Sequence, residues 1–266
     1  MFTYQTFKHA DIPERRRLII SQAELETSPE GIATQLQSPF RTSKVINKII
    51  DRFIDDQIAE DNNNAEGSVL DEHKLCDEID KILGEYQART LLKVTKLRTT
   101  TSVELQLKPK NLYTLAGASE LTFANNASRH ISTTMGPLWE KIAKISPYVV
   151  DPEIDFGIKI PGVDIILKNT ESDVIEYAQL KTQRNTLTGG QSGRVDAEMS
   201  LHDNPIFCAC FLTAPAWTYN TKRNIPRLVG DEFWGRIGID YDIVLRKISE
   251  LILSLEDRFV QMLGNS

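Results

Sequence analysis

Two short stretches hold the residues with chemistry to offer. Pro161-Gly-Val-Asp-Ile-Ile-Leu-Lys168 carries one acid, Asp164, and Val174-Ile-Glu-Tyr-Ala-Gln-Leu-Lys-Thr182 carries an amide, Gln179, two residues before a lysine, Lys181. Side chains alternate between faces of an extended chain, so Tyr177, Gln179 and Lys181 share one face while Glu176, Ala178 and Leu180 take the other. A hard cation such as Mg²⁺ takes oxygen ligands and keeps several waters, so a carboxylate, an amide oxygen, a backbone carbonyl and a phosphate oxygen suffice to hold it. Asp164 is the main expected ligand, joined by the neutral side-chain oxygen of Gln179 and the backbone at Leu180. Lys181 would orient an attacking water and favour its hydroxide form while the metal stabilises charge on a phosphate. That chemistry is phosphodiester hydrolysis without a protein nucleophile.

The elements that must position these groups can be read around them. Lys168-Asn-Thr-Glu-Ser-Asp173 is rich in turn formers, so Val163–Leu167 and Val174–Leu180 pair most simply as an antiparallel hairpin that brings Asp164 beside the second strand. The pattern of Asp164 followed by Gln179-Leu180-Lys181 resembles the signature of the PD-(D/E)XK nuclease superfamily. It departs from that signature in two places: Asp164 follows Pro161-Gly-Val rather than proline itself, and Gln179 stands where glutamate is commoner. Glutamine at that position is shared with Mrr-like nucleases. The resemblance covers roughly residues 125–255, including Ile206-Phe-Cys-Ala-Cys-Phe-Leu212 and Ile225-Pro-Arg-Leu-Val-Gly-Asp-Glu-Phe-Trp234.

The resemblance implies an α/β, restriction-endonuclease-like core, with a central mixed β-sheet flanked by helices and an N-terminal helical region. Gln179 removes one negative charge from that signature, so either metal affinity is lower or another acid contributes. Glu140 ranks first, on Met135-Gly-Pro-Leu-Trp-Glu-Lys-Ile-Ala-Lys-Ile145, which has an early proline and apolar residues at helical spacing. Asp155 and Glu176 are its rivals; Glu176 sits on the wrong strand face unless a bulge intervenes.

After the lysine, Thr182-Gln-Arg-Asn-Thr-Leu-Thr-Gly-Gly-Gln-Ser-Gly-Arg194 is polar and cannot build a core. It reads as a loop attached to the catalytic strand. Arg184, Asn185, Gln191 and Arg194 are its candidate DNA contacts, by the pairing of Arg with phosphate or guanine and of Asn or Gln with adenine. Ala127-Ser-Arg-His-Ile-Ser-Thr-Thr134 offers a second candidate phosphate contact, through Arg129 or helix N-terminal amides.

A net charge of −6 argues at first against a DNA-binding chain. From Asp55 to Thr90, however, 11 acids face three bases, a local charge of −8, which leaves +2 for the rest of the chain. Residues 181–227 carry six bases and three acids, a local +3, so a basic face is compatible with the total. Cys76, Cys208 and Cys210 match neither a zinc nor a disulfide pattern and read as buried or packed thiols. His9, His73, His130 and His202 lack metal-ligand spacing. Trp139, Trp217 and Trp234 read as core or edge aromatics. With no bilayer-length apolar run and no signal-peptide pattern, a cytoplasmic, prokaryotic setting is expected.

Along the chain, residues 10–62 read as helical with an interruption at Ser38-Pro-Phe, and Asp61–Ser68 as a loop. An acidic amphipathic helix is expected from Leu70 to about Lys96, an extended segment over Leu97–Leu107, helix again from Ser119, and a long apolar-striped helix over Tyr241–Leu263. This gives a mainly helical region over 1–110 and a nuclease core with its C-terminal helix over 111–266, with one continuous domain as the alternative. The function expected is a type II restriction endonuclease: Mg²⁺-dependent cleavage of double-stranded DNA at a short specific sequence by a homodimer, beside a cognate DNA methyltransferase that need not touch it. An Mrr-like or repair nuclease and a catalytically silent DNA-binding protein are the alternatives.

Overall fold

Strand alternation and turn chemistry build the predicted hairpin. In the computed structural model, which describes residues 3–26, 44–104, 111–183, 189–211, 217 and 223–264, strand β1 is Val149–Val150, β2 Ile165–Lys168, β3 Ile175–Lys181, β4 Pro205–Ala209 and β5 Arg227–Val229. β2 pairs antiparallel with β3 through Ile165↔Ala178 to Lys168↔Ile175. The turn between them is closed by Asn169, whose side-chain oxygen accepts from the Glu171 amide at 2.9 Å, and by Asp173, which takes a left-handed φ of 59°. After glycine, Asn and Asp are the residue types that tolerate a left-handed φ with least cost.

The five strands lie in the order β1-β2-β3-β4-β5. β1 is antiparallel to β2, while β4 is parallel to β3 and β5 parallel to β4. The parallel step from β3 to β4 needs a crossover, and helix Gly189–Met199 lies within it. The molecule is thus an α/β structure with a mixed sheet flanked by helices. β3 is central, and its residues from Glu176 to Leu180 are buried whichever face they take.

One sheet face is covered by the N-terminal helices Tyr4–Lys8, Ile12–Glu26 and Lys44–Asn62. Ile46, Ile50 and Ile54 share a core with Ile166, Tyr177, Met199 and Phe207. Phe7, Phe53 and Phe156 meet pairwise with ring centroids 5.3–6.1 Å apart. Lys168 at the end of β2 is buried and fastens the helix to the sheet: its ammonium lies 2.8 Å from Asp51, 2.6 Å from Asp55 and 3.1 Å from Asp173. Desolvation alone would lower the Lys168 pKa, but these carboxylates outweigh it and raise it.

The chain divides into two compact units, and the division does not follow the expected 1–110 and 111–266 split. The first comprises Met1–Leu75 and Trp139–Tyr241; the second comprises Cys76–Leu138 and Asp242–Ser266. The second unit is helical. In it Phe123 stacks on Phe259 with centroids 5.1 Å apart, and Lys247 meets Asp80 at 2.5 Å.

Three local expectations are corrected. Leu97 onward is not extended, because helix Glu72–Glu104 runs through it; the Thr99 and Thr100 hydroxyls turn back to the Lys96 carbonyl, each at 2.9 Å, which accommodates hydroxyl side chains within a helix. The remainder of the expected segment lies outside the described residues, as does the interruption at Ser38–Phe40. Helix Ser119–Ala143 begins where expected and carries Glu140 near its end, so Pro137 stands in its interior and not in a first turn. Interior proline costs about 3 kcal/mol; burial of Leu138, Trp139, Ile142 and Ala143 beyond it opposes that cost. Finally, the polar run after Lys181 is helical from Gly189.

Cys208 and Cys210 are buried free thiols, with burial raising both pKa values. Among the described residues no helix is long and apolar enough to cross a membrane.

Candidate active site

The hairpin register brings the acid to the amide. The strand register ends at Ile165↔Ala178, and just before it the Asp164 amide donates to the Ala178 carbonyl at 2.9 Å. The approach to Asp164 turns at Gly162, where φ is +79° and an added Cβ would come within 3.0 Å of the Glu198 Cβ. Glycine is therefore the residue that fits there. Asp164 Oδ2 accepts from the Leu180 amide at 2.7 Å and from Gln179 Nε2. Gln179 is only 7% exposed, and Lys181, on the same strand face, is half-buried.

Burial raises the Asp164 pKa, opposed by the Lys181 charge and by the hydrogen bonds from Leu180 and Gln179. Glu140 behaves likewise. Burial, then the charges of Asp164 and Asp151, lift its carboxyl to about 7 against the pull of Lys181. Mutual influence of this kind falls off with distance, so Glu140, Asp164, Asp151 and Lys181 form one electrostatic group. Glu140 is set in place by its neighbour Trp139, which is fully buried. The Trp139 indole donates to Thr182 Oγ1 at 3.2 Å and packs edge-on against Phe211 with centroids 4.7 Å apart. The end of the helix is thereby tied to the residue that follows Lys181.

The two rivals of Glu140 are engaged elsewhere. Asp155 is paired with Lys144 and accepts from the Asp151 amide at 2.8 Å. Glu176 lies on the opposite face of β3 and is paired with Arg236. Asp151 is the residue that sequence reasoning missed. It is 8% exposed and caps helix Pro152–Phe156, its Oδ1 accepting from the Glu153 and Ile154 amides at 2.8 and 3.0 Å. Its sequence signal, Asp before Pro at a helix start, announces a cap and says nothing of an active site.

Of the four expected DNA contacts, Arg184 and Asn185 lie outside the described residues. Gln191 and Arg194 are in helix Gly189–Met199. Arg194 is exposed, and its guanidinium lies 3.5 Å from Glu198 Oε1. His202 is buried and stacked on Tyr177 at 4.9 Å, and burial lowers its pKa to about 4, which keeps it neutral near pH 7.

Among the described residues no three His, Cys, Asp or Glu side chains converge as a metal-holding group. Any cation here would need neutral donors and water beside its carboxylates, as Mg²⁺ does. The electrostatics fit one: the Asp164 charge raises the Glu140 pKa, the Asp151 charge raises both, and a divalent cation would relieve that repulsion. The Gln179 amide turns its nitrogen toward Asp164; a half-turn of that amide would present its oxygen instead. Leu180 contributes its N–H to Asp164.

No family model and no curated protein matches this chain. The chemistry of the site therefore rests on its own residues.

Proposed function

We propose that this chain is a Mg²⁺-dependent nuclease that hydrolyses phosphodiester bonds in double-stranded DNA at a short specific sequence, as type II restriction endonucleases do. The observation that carries this reading is the group of Asp164, Gln179 and Lys181 on paired strands, with the raised carboxyl of Glu140 coupled to it. An antiparallel β1-β2-β3 run followed by a helical crossover into a parallel β4 supports a restriction-endonuclease-like core.

Asp164 and Glu140 would hold the cation, with Gln179 and the Leu180 backbone as neutral donors. When bound, the cation would supply Lewis-acid stabilisation of phosphate charge and lower the pKa of a coordinated water. Lys181, half-buried beside both acids, presents an ammonium that can orient a water and hold an anionic phosphate oxygen. Burial and the charges of Asp164 and Asp151 lift the Glu140 carboxyl to about 7, so rising pH through that range completes the anionic donor set. A palindromic target would call for a two-fold homodimer, and a cognate methyltransferase would protect the host site without contact.

The Gln179 amide nitrogen facing Asp164 favours one other reading, a DNA-binding protein without cleavage. Incubation of the purified chain with unmodified phage DNA and Mg²⁺, beside EDTA and Asp164→Ala controls, separates the two. Discrete fragments lost in both controls are expected; DNA left intact by the wild-type chain with Mg²⁺ rejects the proposal of specific cleavage of unmodified DNA.

A further inference from the structure

The helical second unit contains a cleft of about 580 Å³ that the proposed cleavage chemistry does not use. Lys93 of helix Glu72–Glu104 lines it on one side. Asn125, Asn126, Arg129 and His130 of helix Ser119–Ala143 line another, and Asn111, the cap of helix Leu112–Leu115, completes the rim. Asn125 and Arg129 are four residues apart, as are Asn126 and His130, so these side chains form one stripe along their helix. Among the described residues no acid lines the cleft. Lys93 and Arg129 are exposed, and among the described residues neither takes part in a salt bridge. The nearby Glu120 is occupied by Arg98 at 2.7 Å.

The expectation that a phosphate would meet helix N-terminal amides near Arg129 does not survive, because Arg129 is in mid-helix, where its neighbours' amides are used within the helix. The side chains provide the alternative. Two fixed positive charges supply attraction, and three asparagines with an imidazole supply hydrogen bonds to oxygen. Burial and the Lys93 charge lower the His130 pKa, so the imidazole acts there mainly as a neutral hydrogen-bonding group.

We propose that this cleft is a second nucleic-acid contact, in which Lys93 and Arg129 pair with phosphates of a DNA backbone and the adjoining amides hydrogen-bond to phosphate or sugar oxygens. Such contacts fix orientation and supply affinity without reading sequence. The proposal extends the nuclease reading to a contact outside the chemical site, yet it is tested independently of cleavage.

The test measures binding of the full-length chain to a duplex of arbitrary sequence in EDTA, across a salt series, for wild type and Lys93→Ala/Arg129→Ala. Both side chains are exposed, and unchanged circular dichroism and melting would verify folding; Lys93→Gln/Arg129→Gln serves as a second, longer-chain neutral variant. Loss of two phosphate contacts should flatten the slope of log K against log salt by about 1.8 and, taking 1 M salt as reference, weaken binding by about 60-fold at 0.1 M. A slope unchanged in both folded variants overturns the proposal. So does saturable binding of a mononucleotide that the variants lose while their duplex slope stays the same, since that would mark a small-anion site. Cleavage is scored separately with Mg²⁺: a chain that never cuts but shows the slope loss would lose the nuclease reading and keep this one.

Discussion

Glu140→Gln offers a direct measure of how much electrostatic strain the site stores. The wild-type carboxyl is lifted from its ordinary 4.5 to about 7 in the folded chain. A raised acid gives the folded state its full stability below the unfolded pKa and loses that stability as pH rises through the folded pKa. At about 1.4 kcal/mol per pH unit the displacement corresponds to roughly 3 kcal/mol, and partial solvent screening of a half-buried group brings this to about 2 kcal/mol. Glutamine is neutral throughout and close in shape. The variant should therefore match wild type in urea unfolding at pH 4 and exceed it by about 2 kcal/mol at pH 8, with the gain developing between pH 4.5 and 7. Mg²⁺ at pH 8 should narrow the difference, since a bound cation would stabilise the two ionised carboxylates of wild type and not the variant. A difference that is the same at pH 4 and pH 8 would refute the reasoning, because it would show that ionised Glu140 is not opposed by Asp164, Asp151 and burial.

Other expectations follow from the same geometry. Lys181→Ala should abolish cutting on a gel while leaving specific DNA binding by mobility shift largely intact; cutting at the wild-type rate would remove Lys181 from the site. Arg236→Ala leaves Glu176 buried without its ion partner, so it should destabilise the chain by about 3 kcal/mol in urea unfolding, with Arg236→Ala/Glu176→Gln recovering part of the loss. Arg194→Ala removes an exposed cation from helix Gly189–Met199, which follows β3, and should weaken DNA binding several-fold at low salt with little change in melting temperature; tighter or unaltered binding would take Arg194 out of the proposed interface.

Much of the candidate site was legible because period-two alternation and turn residues act locally. They placed Asp164 beside Gln179 and put Glu176 on the far face, as the register and the Arg236 pair show. The Glu140 helix and its start near Ser119 were legible from apolar spacing, but the interior place of Pro137 was not: proline more often begins a helix than sits inside one, and only packing of Trp139 and its neighbours supports the exception. Asp151 was not legible because its nearness to Glu140 depends on how helix Pro152–Phe156 leaves β1. The two compact units were hidden for a related reason. Each is assembled from segments distant in sequence, and no local pattern records which segments meet.

The fastening of Lys168 to the N-terminal helices has a consequence for how the chain comes to be folded. Asp55 and Lys168 are separated by 113 positions, and Asn47, which accepts from the Tyr177 hydroxyl, lies 130 positions from it. Helix Lys44–Asn62 therefore leaves the ribosome long before the strands that bury Ile46, Ile50 and Ile54 exist. Closing contacts of such span is entropically slow, and throughout that interval an apolar helical face remains open to other chains. Synthesis rate and chaperone supply should thus govern the soluble yield of this protein more strongly than the final stability of its sheet.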